Sequence, residues 1–354
     1  MSDNKLKKWA PEMDICIRCG YCLEQCPVFD ATGWETDSPR GKVIIAHALL
    51  NGQIEPSSEI AKKFYQCVSC KDCMARCSAN VPVYEIINSA RSFLVKLGLI
   101  DQTHKSVIDK VIESGNIFGQ ELEPDKQDGD FTLYIGCQYL SRMNLVKKYI
   151  KVLERIGLKP RIKEEICCGY PIKSLGFDDE IENYHNRFQE IFPEKDIVTL
   201  CPTCAVFLKE EYGKNVKHIT QVLAENLPEC ESDISVTYHD PCDLSRGLGI
   251  IDEPRQILEK LGVELIEMPR NRESSYCCGG GGGLLMSDVG LSDKIARERM
   301  LEAASTGADY LVTPCPTCEK VLKTSYMSLK SDGIKTIPVR NLIQIIEKVL
   351  KNYY

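Results

Sequence analysis

The chain has 354 residues, enough for two or three domains that each bury a core. Its formal charge of −7 argues against a broad nucleic-acid-binding face. No stretch approaches the ~18 apolar residues of a membrane span.

Met1-Ser2-Asp3-Asn4-Lys5 leads into charged residues rather than an apolar run, so no export signal is expected. The expected location is the cytoplasm, with a membrane reached only through a partner. In that reducing setting the 19 cysteines point to metal rather than to disulfides.

The first cysteines read Cys16-x2-Cys19-x2-Cys22-x3-Cys26-Pro27, and the next read Cys67-x2-Cys70-x2-Cys73-x3-Cys77. This is the staggered run of bacterial ferredoxins, in which three thiolates hold one [4Fe-4S] cubane and the fourth crosses to the other. Cubane one is assigned to Cys16, Cys19, Cys22 and Cys77, and cubane two to Cys67, Cys70, Cys73 and Cys26. Two zinc knuckles are the alternative, but zinc takes its four ligands as two pairs. Ser78 stands where a proline is expected, with Pro82 four residues later, which leaves the exit of the second loop open.

Forty residues separate Cys26 from Cys67. Ser38-Pro39 opens a helix through Val43, Ile44, His47 and Leu50 that Gly52 closes. His47 is read as a helix residue, and Arg40 and Lys42 as solvated charges. Helices are also predicted through Ile86, Ala90, Phe93, Leu94 and Leu97, and through Val107, Ile108, Val111 and Ile112. From Gly115 to Asp130 the pattern dissolves into Gly, Asn, Pro and acidic residues, read as a linker.

Beyond the linker the chain repeats itself. One half has Cys137, then Cys167-Cys168, then Cys201-Pro202-Thr203-Cys204. The other has Cys242, then Cys277-Cys278, then Cys315-Pro316-Thr317-Cys318. The gaps are 29 and 32 residues in the first half, and 34 and 36 in the second. Predicted strands end at Cys137 (131–135), Cys201 (196–200), Cys242 (236–238) and Cys315 (310–313), with 263–268 a further strand before Cys277. Helices alternate with them, and Val216-Lys217-His218-Ile219 echoes Thr336-Ile337-Pro338-Val339. This pattern predicts parallel sheets with ligands at the carboxyl ends of the strands. The expected domains are 1–114, a helical two-cubane unit; 115–130, the linker; and α/β repeats at 131–234 and 235–354 that face each other.

Five thiolates per set exceed what a cubane or a zinc site takes. The surplus suits a bridging thiolate or a site open to substrate. A redox disulfide within each vicinal pair is the alternative. Gly279 to Gly283 would let backbone approach a cluster, or let consecutive N–H groups bind an anion; a merely flexible loop is the alternative. Eighteen of the 19 cysteines are thus absorbed, and Cys230, in a polar turn, is read as a non-ligand.

These motifs resemble the Cys-Cys-Gly domain family over nearly the whole chain. A two-cubane unit followed by two complete Cys-Cys-Gly domains is similar to the D-type catalytic subunit of methanogen heterodisulfide reductase, itself like a fusion of the C-type and B-type subunits of the soluble enzyme. The resemblance implies a noncubane [4Fe-4S] cluster on Cys137, Cys167, Cys168, Cys201 and Cys204, and another on Cys242, Cys277, Cys278, Cys315 and Cys318. Zinc in one set is the lesser alternative. It implies reduction of the disulfide of coenzyme M and coenzyme B between the two clusters, with electrons arriving through the cubanes. Arg142, Lys173, Arg246, Arg270 and Arg272, near the cysteine sets in sequence, are candidates to meet the anionic ends of that substrate. The family also holds iron–sulfur electron-transfer subunits of glycolate, lactate and glycerol-3-phosphate dehydrogenases, which is the competing reading; a non-catalytic electron wire is a third. No Gly-x-Gly-x-x-Gly run opens a helix, so a partner must supply electrons. A membrane cytochrome, a hydrogenase or formate dehydrogenase module, or an electron-transfer flavoprotein would serve.

Overall fold

The computed structural model describes residues 5–351. The N-terminal part is helical. Helix α1 (Pro39–Leu50) starts where Ser38 accepts the Gly41 N–H at 2.9 Å and Pro39 supplies a preset φ. It is followed by α2 (Ser58–Tyr65), α3 (Val83–Lys96) and α4 (Gln102–Ser114). Asp101 caps α4 at 2.8 Å, and Gly115, at φ 68°, ends it. Two cysteine loops hang from this frame, at 16–26 and 67–77.

The rest of the chain is one plan used twice. The first half runs β1 (Phe131–Tyr134), α5 (Met143–Arg155), β2 (Pro160–Arg161), α6 (Asp178–Ile191), β3 (Asp196–Thr199), α7 (Pro202–Tyr212), β4 (Asn215–His218) and α8 (Ile219–Asn226). The second runs β5 (Ser235–Tyr238), α9 (Asp252–Lys260), β6 (Glu264–Leu265), α10 (Val289–Ser305), β7 (Tyr310–Thr313), α11 (Pro316–Ser331), β8 (Val339–Asn341) and α12 (Leu342–Lys351). Each half forms a parallel four-stranded sheet, in the orders β2-β1-β3-β4 and β6-β5-β7-β8. The central strands are buried on both faces because helices cover both, so they carry apolar runs instead of alternating residues.

Two expected segments shift. Of 263–268, only Glu264–Leu265 is strand, and Pro269 follows close behind. The last strand is Val339–Asn341, not 336–339. Pro338 has no N–H to give; its carbonyl accepts from Leu311 at 3.0 Å and the ladder starts there. His218 therefore corresponds to Asn341, three residues beyond the echo read from the sequence.

The halves lock together through buried polar contacts. Tyr149 donates to Asn341 Oδ1 at 3.0 Å, and Arg142 pairs with Glu319 at 3.3 Å. Val28, just past the first cysteine loop, and Val68 and Cys70, from the second, pack into the same apolar cluster as Leu284, Ile295 and Leu322 of the second half. The helical unit thus docks on the second repeat with core-like packing. Among the described residues, no helix is long and apolar enough to cross a membrane.

Candidate functional site

The two ferredoxin-like runs fold into two cages. One is walled by Cys16, Cys19, Cys22 and Cys77, the other by Cys26, Cys67, Cys70 and Cys73. Each loop curls by placing residues in the left-handed region two and four positions after its first cysteine. In the first loop these are Arg18 (φ 58°) and Gly20 (φ 89°); in the second, Ser69 (φ 57°) and Lys71 (φ 62°). Backbone N–H groups turn toward sulfur: Ser69 donates to Cys67 Sγ at 3.4 Å and Val81 to Cys77 Sγ at 3.3 Å. The missing proline has a visible consequence. Pro27 begins a short helix directly after Cys26, whereas the chain after Ser78 turns through left-handed Asn80 (φ 52°) before α3.

The surroundings of the second cage fit an anionic metal–thiolate group. Burial pushes the Cys26 thiol up to about 12, so a lone thiolate at that position is costly. Yet the cage is ringed by buried cations. Lys42 lines it and is buried, which corrects its reading as a solvated charge. Arg91, fully buried, donates to the carbonyls of Phe64, Ser174 and Cys67. Among the described residues no carboxylate pairs with it. A buried guanidinium needs a countercharge, and a thiolate-bound cluster supplies one.

All ten cysteines of the two repeats line one cavity of about 340 Å³. The strands bring them there. Cys201 and Cys315 follow β3 and β7 as the N-caps of α7 and α11, with Pro at the first helical position of each. Cys204 and Cys318 then sit one turn in, on the same helix ends. Thr203 and Thr317 also face the cavity, and Thr203 donates to Asp243 Oδ2 at 2.5 Å across the two repeats. Within the vicinal pairs, Cys168 is held down at about 6, chiefly because Cys167 and Cys204 donate to its sulfur.

The glycine run lines the cavity with backbone from Gly280 to Gly283 and also reaches the neighbouring cage. Gly279 and Gly280 donate to the sulfurs of Cys277 and Cys278, at 3.4 Å each. Gly281 and Gly282 lie against the second cage loop: a Cβ there would come within 2.3 Å of Val68 O and 2.1 Å of Cys67 O. The run is an interface between the cage and the second five-cysteine set. Cys277 donates to Cys70 across it, which, with Arg246 nearby, draws the buried Cys70 thiol down to about 7.

The five basic candidates are not on the cavity wall, and each has a partner elsewhere. Arg142 pairs with Glu319, Lys173 with Glu211, Arg270 with Glu302 and Arg272 with Asp252. Arg246 is a clamp. It donates to the carbonyls of Cys70 (2.7 Å), Glu273 (2.7 Å) and Ser275 (2.9 Å) and pairs with Asp72 at 3.6 Å. The cation that does line the cavity is Lys320, two residues past Cys318; its place one turn into the helix that Cys315 caps was a legible signal. Ile117 and Phe118, from the stretch read as linker, also line the cavity. Cys230 is remote from all three sites, but it is buried rather than in an open turn. His47 lies in α1 and bonds Asp14 at 2.9 Å.

Cysteine cages docked against a ten-cysteine cavity between paired α/β repeats define an iron–sulfur redox protein. The cysteine-rich domain family, CCG, matches residues 131–209 and 236–323, and the 4Fe-4S dicluster domain matches 12–81. The chain is 30% identical to an uncharacterized iron-sulfur protein of Methanococcus maripaludis, over 95% of this chain and 72% of that one. It is 28% identical to the D-type subunit of the dihydromethanophenazine:CoB–CoM heterodisulfide reductase of Methanosarcina barkeri, over 96% and 94%. It is 27% identical to the B-type subunit of the fumarate reductase (CoM/CoB) of Methanothermobacter marburgensis, over 94% and 71%. The chain belongs to the Cys-Cys-Gly family of iron–sulfur proteins, homologous to the D-type subunit of heterodisulfide reductase.

Proposed function

We propose that the chain is the catalytic subunit of a disulfide reductase that splits the coenzyme M–coenzyme B heterodisulfide, or a close analogue, into two thiols. The reaction consumes two electrons and two protons per disulfide. The reading rests above all on one observation: both complete five-cysteine sets face a single cavity. Cys137, Cys167, Cys168, Cys201 and Cys204 would hold one noncubane [4Fe-4S] cluster, and Cys242, Cys277, Cys278, Cys315 and Cys318 the other. Cys16, Cys19, Cys22 and Cys77 would hold one cubane, and Cys26, Cys67, Cys70 and Cys73 the second. When bound, two facing clusters supply one electron each and an iron for each sulfur fragment, which avoids a free thiyl radical.

The protein's own groups supply the rest. Leu175, Leu285, Met286, Ile117 and Phe118 keep much of the cavity wall apolar and limit water. Thr203, Thr317 and Gln138 offer hydrogen bonds, and Lys320 a cation for one anionic end of the substrate. The domains follow the same division: 1–114 receives electrons from a partner protein, 131–234 and 235–354 enclose the substrate, and 115–130 joins them while adding Ile117 and Phe118 to the wall.

The test is anaerobic turnover of the coenzyme M–coenzyme B disulfide with reduced viologen, on protein whose iron content accounts for all four clusters. The expected result is release of both thiols in equal amounts. A fully loaded protein without turnover would favour the second reading, an electron-transfer subunit of a flavin-linked dehydrogenase. That reading draws support from the likeness to a fumarate reductase subunit.

A further inference from the structure

The two five-cysteine sets share a plan but differ at several buried polar positions, one of which lies beside the sulfurs of the second set. Tyr134 stands three residues before Cys137, and His239 three before Cys242. The strand register makes them counterparts. Tyr134 lies opposite Thr199, two residues before Cys201. Tyr238 lies opposite Val312, so His239 comes next to Thr313, two residues before Cys315. The Tyr134 hydroxyl donates to Ile166 O at 2.7 Å and has no proton left for a sulfur.

His239 is only 1% exposed. Its Nδ1 accepts a 3.0 Å hydrogen bond from Arg299 Nε. A guanidinium has only donors, so this bond fixes the tautomer: the ring proton is on Nε2. Arg299 cannot swing away. It is fully buried, and its other N–H groups go to Arg270 O (2.7 Å), Glu302 Oε2 (2.9 Å) and Ser275 Oγ (3.2 Å). A ring nitrogen of His239 and the sulfurs of Cys278 and Cys318 lie within 4.8 Å of one another. With Nδ1 occupied, the nitrogen left for sulfur is Nε2, which is buried, has no hydrogen-bond partner among the described residues and is therefore free for a sulfur within that distance.

We propose that Arg299 and His239 form a positioning relay that aims an imidazole N–H at the Cys278 sulfur, so that the second five-cysteine centre has the higher reduction potential of the two and accepts the electron first. This rests on the reading of both sets as iron–sulfur centres. A hydrogen bond to a ligand sulfur draws off negative charge and favours the reduced state, and among the described residues the first set has no counterpart at the matching position. The second set is also the one that touches the neighbouring cage, through Cys70 and Cys277. The relay and the contact therefore act on the same centre.

The experiment is an anaerobic redox titration of the full chain followed by electron paramagnetic resonance, after iron and zinc analysis. In His239→Leu, one of the two centres of the ten-cysteine cavity is expected to fall in potential by at least 59 mV, a tenfold change in a one-electron equilibrium. The other centre and both cubanes should not move. Parent protein grown on 15N-histidine gives a second readout that needs no variant: a weak 15N coupling and an exchangeable deuteron at one centre. An unchanged potential in fully loaded His239→Leu, equal falls at both centres, or absence of any histidine coupling would overturn the relay. So would a strong 15N coupling or one zinc per chain, since His239 would then be a metal ligand. Iron too low to fill the cavity would overturn the underlying functional reading as well, and it is measured first.

Discussion

Gly282 sits so close to Cys67 that a Cβ on it would lie 2.1 Å from the Cys67 carbonyl oxygen. The two residues are 215 positions apart (282 minus 67), and their approach presses the second cage loop onto the second five-cysteine set. The obstacle is backbone, which no side-chain rotation relieves. Gly282 also has φ 61°, in the left-handed region. Gly282→Ala is expected to cost about 1–3 kcal/mol from the backbone conformation alone, and more from the overlap. Iron per chain should fall together with the melting temperature. Gly33→Ala is the control: φ is 71°, but nothing lies within 4 Å, so only the same backbone cost of about 1–3 kcal/mol is at stake.

Substrate recognition gives a second contrast. Lys320 lines the cavity, whereas Arg270 and Arg272 are held by Glu302 and Asp252. Lys320→Ala is expected to raise KM for the anionic heterodisulfide several-fold with kcat little changed, the signature of lost uniform binding. Arg272→Ala should leave both constants unchanged. A KM effect of Arg272→Ala equal to that of Lys320→Ala would mean that the substrate reaches well beyond the cavity.

Cysteine substitutions separate ligands from packing. Cys230 is 8% exposed, remote from both cages and the cavity, and its N–H bonds Lys260 O at 2.6 Å. Cys230→Ser should retain the full iron content and lose at most a little stability. Cys70→Ser should lose the iron of one cubane and perturb the neighbouring centre through Cys277.

Acid stability can be read from His218. It is fully buried, with Nδ1 as an acceptor for the Thr220 N–H and Nε2 facing Leu200 O at 3.0 Å. Burial pushes its pKa down from 6.5 to about 4. The unfolded chain therefore binds more protons between those values. The stability linked to this residue is full above about 6.5 and is lost as pH falls toward 4, up to about 3 kcal/mol. Denaturation of the parent and of His218→Gln at pH 4 to 8 should show the gap between them narrowing as pH falls. A gap that stays constant would remove His218 from the acid response.

Sequence alone carried the layout of the cysteines and the architecture. Short-range spacing wraps a loop around a metal, so the staggered runs and the repeated Cys-Cys-Gly sets were legible as local chemistry. The crossed assignment of Cys26 and Cys77 followed from the same logic, and the structure brings those sulfurs into the expected cages. Strand–helix alternation likewise announced two parallel sheets, because each element shows its own periodicity. What depended on residues distant in the chain was not legible. Charge near a cysteine in sequence said nothing of where a long side chain would turn, and five such cations pair off elsewhere. The buried Arg91 and Lys42 beside the second cage, the role of Gly281 and Gly282 as a contact face, and the tautomer that Arg299 imposes on His239 exist only once helices and sheets have packed. Spacing determines which atoms can bind a metal; packing decides which charges and hydrogen bonds surround it, and those set its potential.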